Sequence, residues 1–283
     1  MKRNFCIGSE WLYYKIYTGV KTADIVLQEK LFPIIEKLKK EKVIDKWFFI
    51  RYKDTDEHIR LRFYSKTPQN LSIVIAQLYP VFNTLLEEDI IWKIQTDNYQ
   101  REIERYGENT MVGSETLFWH DSEMIVKYLA LKSNFNHLNM PLLFSFLNID
   151  SFLNSFSLTN THKLDIMNNL QMSFKKEFDA DKILKKEFDK NYRELATEIH
   201  FILMLKPSKS YSQMYKLIKQ KTLKSKKIVL DIQSNIQISL SEFLASHIHM
   251  MINRQFTSKQ RMYETLIYDQ MYRYYKTLEF KQY

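Results

Sequence analysis

Lys46-Trp47-Phe48-Phe49-Ile50-Arg51-Tyr52, Lys53-Asp54-Thr55-Asp56-Glu57 and His58-Ile59-Arg60-Leu61-Arg62-Phe63-Tyr64-Ser65 follow one another without interruption. The two outer runs are aromatic and β-branched, which suits a pleated surface, and the polar residues between them have the length of a hairpin connection. A β-hairpin is therefore expected from Lys46 to Ser65. Upstream, Trp11 to Tyr17 reads as a further strand. Thr22 to Lys40 places Ile25, Leu27, Leu31, Ile34, Ile35 and Leu38 near helical spacing, with Pro33 predicting a kink or a later helix start. Downstream, Gln69 to Glu87 reads as a second helix and Ile90 to Thr96 as a fourth strand. The order β-α-β-β-α-β specifies the split ferredoxin-like arrangement, an antiparallel sheet with helices on one face and the other face left for a partner or a site.

Beyond Ser114 the apolar spacing turns helical, over Ser114 to Leu131, Pro141 to Phe156, Thr161 to Phe174, Ala180 to Leu205, Leu240 to Asn253 and Ser258 to Thr277. The fold class is α+β, an N-terminal ferredoxin-like antiparallel sheet followed by a mostly helical C-terminal half. A soft boundary divides residues 1–107 from 108–283. No Pro/Gly/Ser linker lies between Tyr99 and Gly113, so the halves are expected to share an interface and pack as one domain.

With 283 residues and 45% hydrophobic content the chain has ample material for a core, while only 4 glycines and 5 prolines exclude collagen-like and hairpin-dense all-β designs. The single cysteine, Cys6, cannot form an internal disulfide, and no segment reads as a signal peptide or membrane span. A cytoplasmic location is expected. The net charge of +9 admits an anionic partner, but Lys216, Lys219, Lys221, Lys224, Lys226 and Lys227 read as a solvated helix face or loop. Neither membrane binding nor direct nucleic-acid contact is expected.

Period-2 geometry puts Ile59, Leu61 and Phe63 on one face of their strand and His58, Arg60, Arg62 and Tyr64 on the other. Two guanidinium groups on one side repel unless an anion lies between them, and their forks suit a carboxylate; the competing reading is an amphipathic strand with one wet face. In Tyr99-Gln100-Arg101-Glu102-Ile103-Glu104-Arg105-Tyr106-Gly107, a helical conformation would pair Glu102 with Arg105 and Arg101 with Glu104. Gly107 reads as a reversal at positive φ that fixes where Arg105 points. On a helix from Leu240, His249 shares a face with Ser246 and Asn253, where an imidazole can move protons near neutral pH or serve only in packing. There is no glycine-rich phosphate loop, no His-Glu-x-x-His and no Cys-x-x-Cys, and His247 and His249 lie on different helix faces. No metal or cofactor is implied.

Taken in order, Trp47-Phe48-Phe49-Ile50-Arg51-Tyr52, His58-Ile59-Arg60-Leu61-Arg62-Phe63, Tyr99 through Gly107, Glu115-Thr116-Leu117-Phe118 with Asp121-Ser122, and His249-Met250-Met251-Ile252-Asn253-Arg254 resemble one family. It is the C-terminal elimination domain of class I lantibiotic dehydratases, also called the thiopeptide-type bacteriocin biosynthesis domain. The resemblance runs from about Trp11 to Phe256; Glu108 departs from it, standing where the family often has a second glycine. It implies an enzyme that eliminates glutamate from glutamylated Ser or Thr of a ribosomal precursor peptide, leaving dehydroalanine or dehydrobutyrine. In that reading His249, Arg62 and Arg105 are catalytic, with His249 in proton transfer, while Arg60, Glu102 and Asn253 bind substrate. Arg60 and Arg62 are then expected to meet His249 around one pocket. The resemblance also admits a pyridine-forming cycloaddition of two dehydroalanines with leader release, and a non-catalytic precursor-binding module is a third reading. The chain starts at Met1 without the large glutamylation domain of full-length enzymes, which reads as a naturally split protein with a separate glutamylating partner. A homodimer stays open.

Overall fold

Strand β1 (Asn4–Phe5) precedes β2 (Trp11–Thr18), which leads through α1 (Ala23–Ile25) and a π-helical turn at Val26–Leu31 into α2 (Phe32–Lys40). A computed structural model describes residues 1–132, 139–177, 182–204 and 211–280. Pro33 falls in the first turn of α2, where a missing N–H is harmless, and the widened turn before it absorbs the break expected in the long helical pattern. Strands β3 (Lys46–Lys53) and β4 (Glu57–Tyr64) form the expected hairpin, followed by α3 (Asn70–Glu87) and β5 (Ile91–Thr96). The sheet order is β3-β4-β2-β5, all antiparallel, which is the ferredoxin-like order.

Sheet register follows from side-chain alternation. Ile59, Leu61 and Phe63 of β4 are at most 1% exposed and face the helices together with Ile16, Trp47 and Phe49. Tyr14 on the same face meets the Phe82 ring of α3 at 5.3 Å. The opposite face carries Tyr13, Lys15 and Tyr17 beside Arg62, Arg60 and His58.

Two short elements were not legible beforehand. Strand β6 (Tyr99–Gln100) pairs with β1 in a separate two-stranded sheet, so only α4 (Ile103–Tyr106) of the following segment is helical. The expected Arg101–Glu104 pair does not form. Arg101 instead grips the buried Glu115 of α5 (Met111–Leu131) with both Nε (2.6 Å) and Nη2 (2.8 Å), and Glu104 pairs with Arg3. A buried carboxylate needs a fork-shaped partner, and the strand geometry of Tyr99 and Gln100 delivers Arg101 to it.

The helical half continues with α6 (Met140–Ser155), α7 (Asn160–Glu177), α8 (Lys182–Leu203), α9 (Ser212–Asn235), α10 (Leu240–Gln255) and α11 (Gln260–Phe280). The ends of the helix expected over Ala180 to Leu205 lie partly outside the described residues. Helix α9 holds the lysine run. Lys216, Lys219, Lys224, Lys226 and Lys227 are exposed as expected, whereas Lys221 is buried, its Nζ 2.7 Å from Asp121 Oδ1 and 2.8 Å from Asn148 Oδ1. None of the described helices is long and apolar enough to cross a membrane.

The edge of β3 joins the two halves. Ser122 of α5 accepts from Phe49 N at 3.2 Å, Arg254 Nε of α10 donates to Phe49 O at 2.8 Å, and Asn253 both accepts from Arg51 N (2.9 Å) and donates to Arg51 O (2.8 Å). Side chains thus satisfy a strand edge that would otherwise offer unpaired backbone groups.

Candidate functional site

Arg62 is the side chain whose environment most demands a ligand. It is 7% exposed, and its guanidinium carbon lies 4.2 Å from the Tyr13 ring centre and 5.2 Å from those of Phe48 and Tyr99. Among the described residues no carboxylate bonds to it, and its Nε has no hydrogen-bond partner. Burial pulls its pKa below the ordinary arginine value. A buried cation held only by aromatic faces is an incomplete arrangement, because ring faces return only part of the lost hydration.

Arg62 lines a partly open pocket, about 390 Å³ counting the space open to solvent, with Phe48, Tyr99, Glu102, Met250 and Arg254. A second, more open cavity, about 510 Å³ counting the space open to solvent, is lined by Arg105, Ser246, His249, Arg261, Glu264 and Tyr268. The two adjoin: Arg105 Nε of the second lies 3.2 Å from Glu102 Oε2 of the first, and His249 and Met250 are consecutive on α10. In place of the single pocket expected from the sequence there are two, with the Glu102–Arg105 ion pair between them.

His249 Nδ1 is hydrogen-bonded to Glu264 Oε1. Glu264 is fully buried and also receives Tyr268 OH (3.1 Å) and Arg261 Nη1 (3.1 Å). Its carboxylate fixes the ring orientation and leaves Nε2, unbonded among the described residues, as the atom able to exchange a proton.

Two expected substrate ligands sit elsewhere. Arg60 lies on the same sheet face as Arg62 but lines neither cavity; it stacks 3.4 Å over the Tyr52 ring and donates through Nε to His58 Nε2 at 3.2 Å. Nothing from β6 or α4 covers that end of the strand, so its guanidinium turns to the nearest ring. Asn253 has both amide atoms bonded to the Arg51 backbone, which makes it a tether of α10 to β3. Glu264 was missed because 15 residues separate it from His249, and its position depends on α10 and α11 folding back on one another. Arg254 stood in a quoted motif without a role. No cluster able to hold a metal occurs among the described residues.

The family model for the lantibiotic biosynthesis dehydratase C-terminal region matches residues 11–275. The subtilin biosynthesis protein SpaB of Bacillus subtilis is 24% identical over 260 residues, covering 91% of this chain and 22% of its own. The nisin biosynthesis protein NisB of Lactococcus lactis subsp. lactis is 25% identical over 271 residues, covering 90% and 26%. The chain thus spans about a quarter of the length of these curated relatives. Among solved structures, the tRNA dependent lantibiotic dehydratase MibB from Microbispora sp. 107891 superposes with a TM-score of 0.79 at 17% identity, over 98% of this chain and 29% of that one. The pyridine synthase TbtD from thiomuracin biosynthesis gives 0.61 at 10% identity, over 95% and 100%. Both likenesses concern the fold.

Proposed function

Since the chain belongs to the lantibiotic biosynthesis dehydratase C-terminal family, we propose that it eliminates glutamate from glutamylated Ser or Thr residues of a precursor peptide, leaving dehydroalanine or dehydrobutyrine. The observation that carries this reading is Arg62, a buried guanidinium to which no carboxylate bonds among the described residues, in a cavity with the Glu102–Arg105 ion pair between it and the one that holds His249. β-Elimination asks for three things: a base for the Cα proton, donors for the charge developing on the neighbouring carbonyl, and a cation for the departing carboxylate. His249 Nε2 exchanges the proton, with Glu264 stabilising the imidazolium. The Cα–H electron pair becomes the Cα–Cβ double bond while the Cβ–O bond breaks. The carboxylate leaves with the Cβ–O bonding pair toward Arg62, and Arg105, aligned by Glu102, stabilises negative charge beside it. A separate protein supplies the glutamylated peptide in this reading.

The test is to incubate the protein with a glutamylated precursor peptide and, separately, with a multiply dehydrated azole-bearing one, and read the masses. Loss of glutamate from the first supports the reading. Leader release with ring formation from the second overturns it in favour of pyridine formation, and binding without mass change makes the chain a carrier.

A further inference from the structure

Behind Arg62, Arg254 belongs to a buried charge cluster that does not balance. Asp121 serves two cations: Oδ1 receives Lys221 Nζ at 2.7 Å and Oδ2 receives Arg254 Nη1 at 3.2 Å. Arg62 adds a third cation without a carboxylate of its own. Glu102 lines the same cavity, but its side chain is 61% exposed and already paired with Arg105. Burial lowers the pKa of Arg62, Lys221 and Arg254 alike. Excess positive charge in a water-poor interior is tolerated best when an anion completes it.

The placement of Arg254 says where that anion sits. The residue is 1% exposed and rigidly held, Nε on Phe49 O at 2.8 Å and Nη1 on Met250 O at 3.2 Å as well as on Asp121. Nη2 is buried with no hydrogen-bond partner among the described residues, as is Arg62 Nε; both residues line one cavity whose remaining walls include Phe48, Tyr106 and Met250, and Arg254 also lines the neighbouring pocket of Asp121, Lys221 and His247. Two preorganised donors beside Phe48, Tyr106 and Met250 suit a carboxylate on a short aliphatic stem.

We propose that Arg254 is a second anion-recognising residue, whose Nη2 joins Arg62 in seating such a carboxylate. That the stem is glutamate's rests on the reaction proposed above; the preference for a carboxylate does not.

Thermal unfolding of the full chain, titrated with glutarate, with L-glutamate and with uncharged glutaramide, tests the proposal. The dicarboxylates raise the midpoint in a dose-dependent way and glutaramide does not. Arg254→Lys and Arg62→Lys each weaken glutarate at least about tenfold. Asn253→Ala, which loosens the same α10–β3 attachment without touching the cavity, keeps the wild-type affinity; a merely structural Arg254 would behave like Asn253. Should Arg254→Lys not fold, Asp121→Asn decides in the opposite direction, because freeing Nη1 tightens glutarate. No response in the wild type, wild-type affinity in Arg254→Lys, or unchanged affinity in Asp121→Asn overturns the proposal. Glutarate binding by a protein that removes no glutamate sinks the reaction and spares the anion seat. Glutamate removal by Arg254→Lys with wild-type KM sinks the seat alone.

Discussion

Arg105 Nε stands 3.2 Å from Glu102 Oε2, and the pair spans the boundary between the cavity of Arg62 and that of His249. Both side chains are more than half exposed, so the ion pair contributes little to stability. Its consequence is directional: Glu102 holds one edge of the Arg105 fork and leaves the others for a ligand. Arg105→Lys keeps the charge and loses the fork. Elimination should fall about 10²- to 10³-fold, read by mass spectrometry in single turnovers, while the urea midpoint stays at the wild-type value. A wild-type rate in this variant removes Arg105 from the reaction.

His249 exchanges the proton in the proposed reaction, so His249→Ala should slow elimination about 10²- to 10⁴-fold. Glu264→Gln keeps a hydrogen-bonding group beside Nδ1 but removes the charge that stabilises the imidazolium. Its rate should lie between those of the wild type and His249→Ala, with KM for the glutamylated peptide unchanged. Equal rates for Glu264→Gln and the wild type would show that the carboxylate only anchors α10 to α11.

What was legible in the sequence was whatever depends on local periodicity. Alternation in β4 separates Ile59, Leu61 and Phe63 from Arg60 and Arg62 because a strand reverses its faces at every residue. It could not divide Arg60 from Arg62, since that depends on Tyr99, brought over Arg62 by β6 from a distant part of the chain. The same limit explains Lys221, an ordinary member of a lysine run until Asp121 of α5 meets it. Asn253 has the right spacing to share a face with His249, but the β3 edge claims its amide. Gly107 was readable because a scarce glycine after Arg-Tyr marks a backbone need, and its φ is indeed positive at 74°.

Three buried histidines make stability pH-dependent on the acid side, among them His58, which burial holds below 6.5. Burial, and then the charges of Arg254 and Lys221, hold His247 well below 6.5, while burial and then Lys224 bring His120 to about 4. All three take up protons more readily when unfolded. Their stabilisation is therefore complete above about 6.5 and declines as pH falls below it, by about 1.4 kcal/mol per pH unit for each histidine until the folded value is reached. Glu123 responds lower: burial alone would raise it, but hydrogen bonds from Lys127 and Lys224 bring it to about 2, so its contribution fades only below its ordinary 4.5. Urea unfolding at pH values from about 7 to about 5 should show the decline, and His120→Gln should make it shallower. A flat profile across that range contradicts the buried neutral state of all three rings.

Gly107 ends α4 with φ 74° and ψ 146°, a conformation almost confined to glycine. A Cβ there would stand 2.7 Å from Thr110 Oγ1, whose hydroxyl is buried and bonded to the Tyr106 carbonyl. Gly107→Ala should thus cost about 1–3 kcal/mol from backbone strain. The chain can relieve that strain only by shifting α4, which carries Tyr106 of the first cavity and Arg105 of the second. Elimination per folded molecule should consequently drop, measured well below the unfolding midpoint. Gly113→Ala is the comparison: its Cβ would press on the Ile232 side chain at 3.0 Å, a contact between α5 and α9 whose residues line neither cavity. That variant should change stability while each folded molecule keeps its activity. If Gly107→Ala lost stability without losing activity per folded molecule, the direction in which Arg105 points would not matter to the reaction.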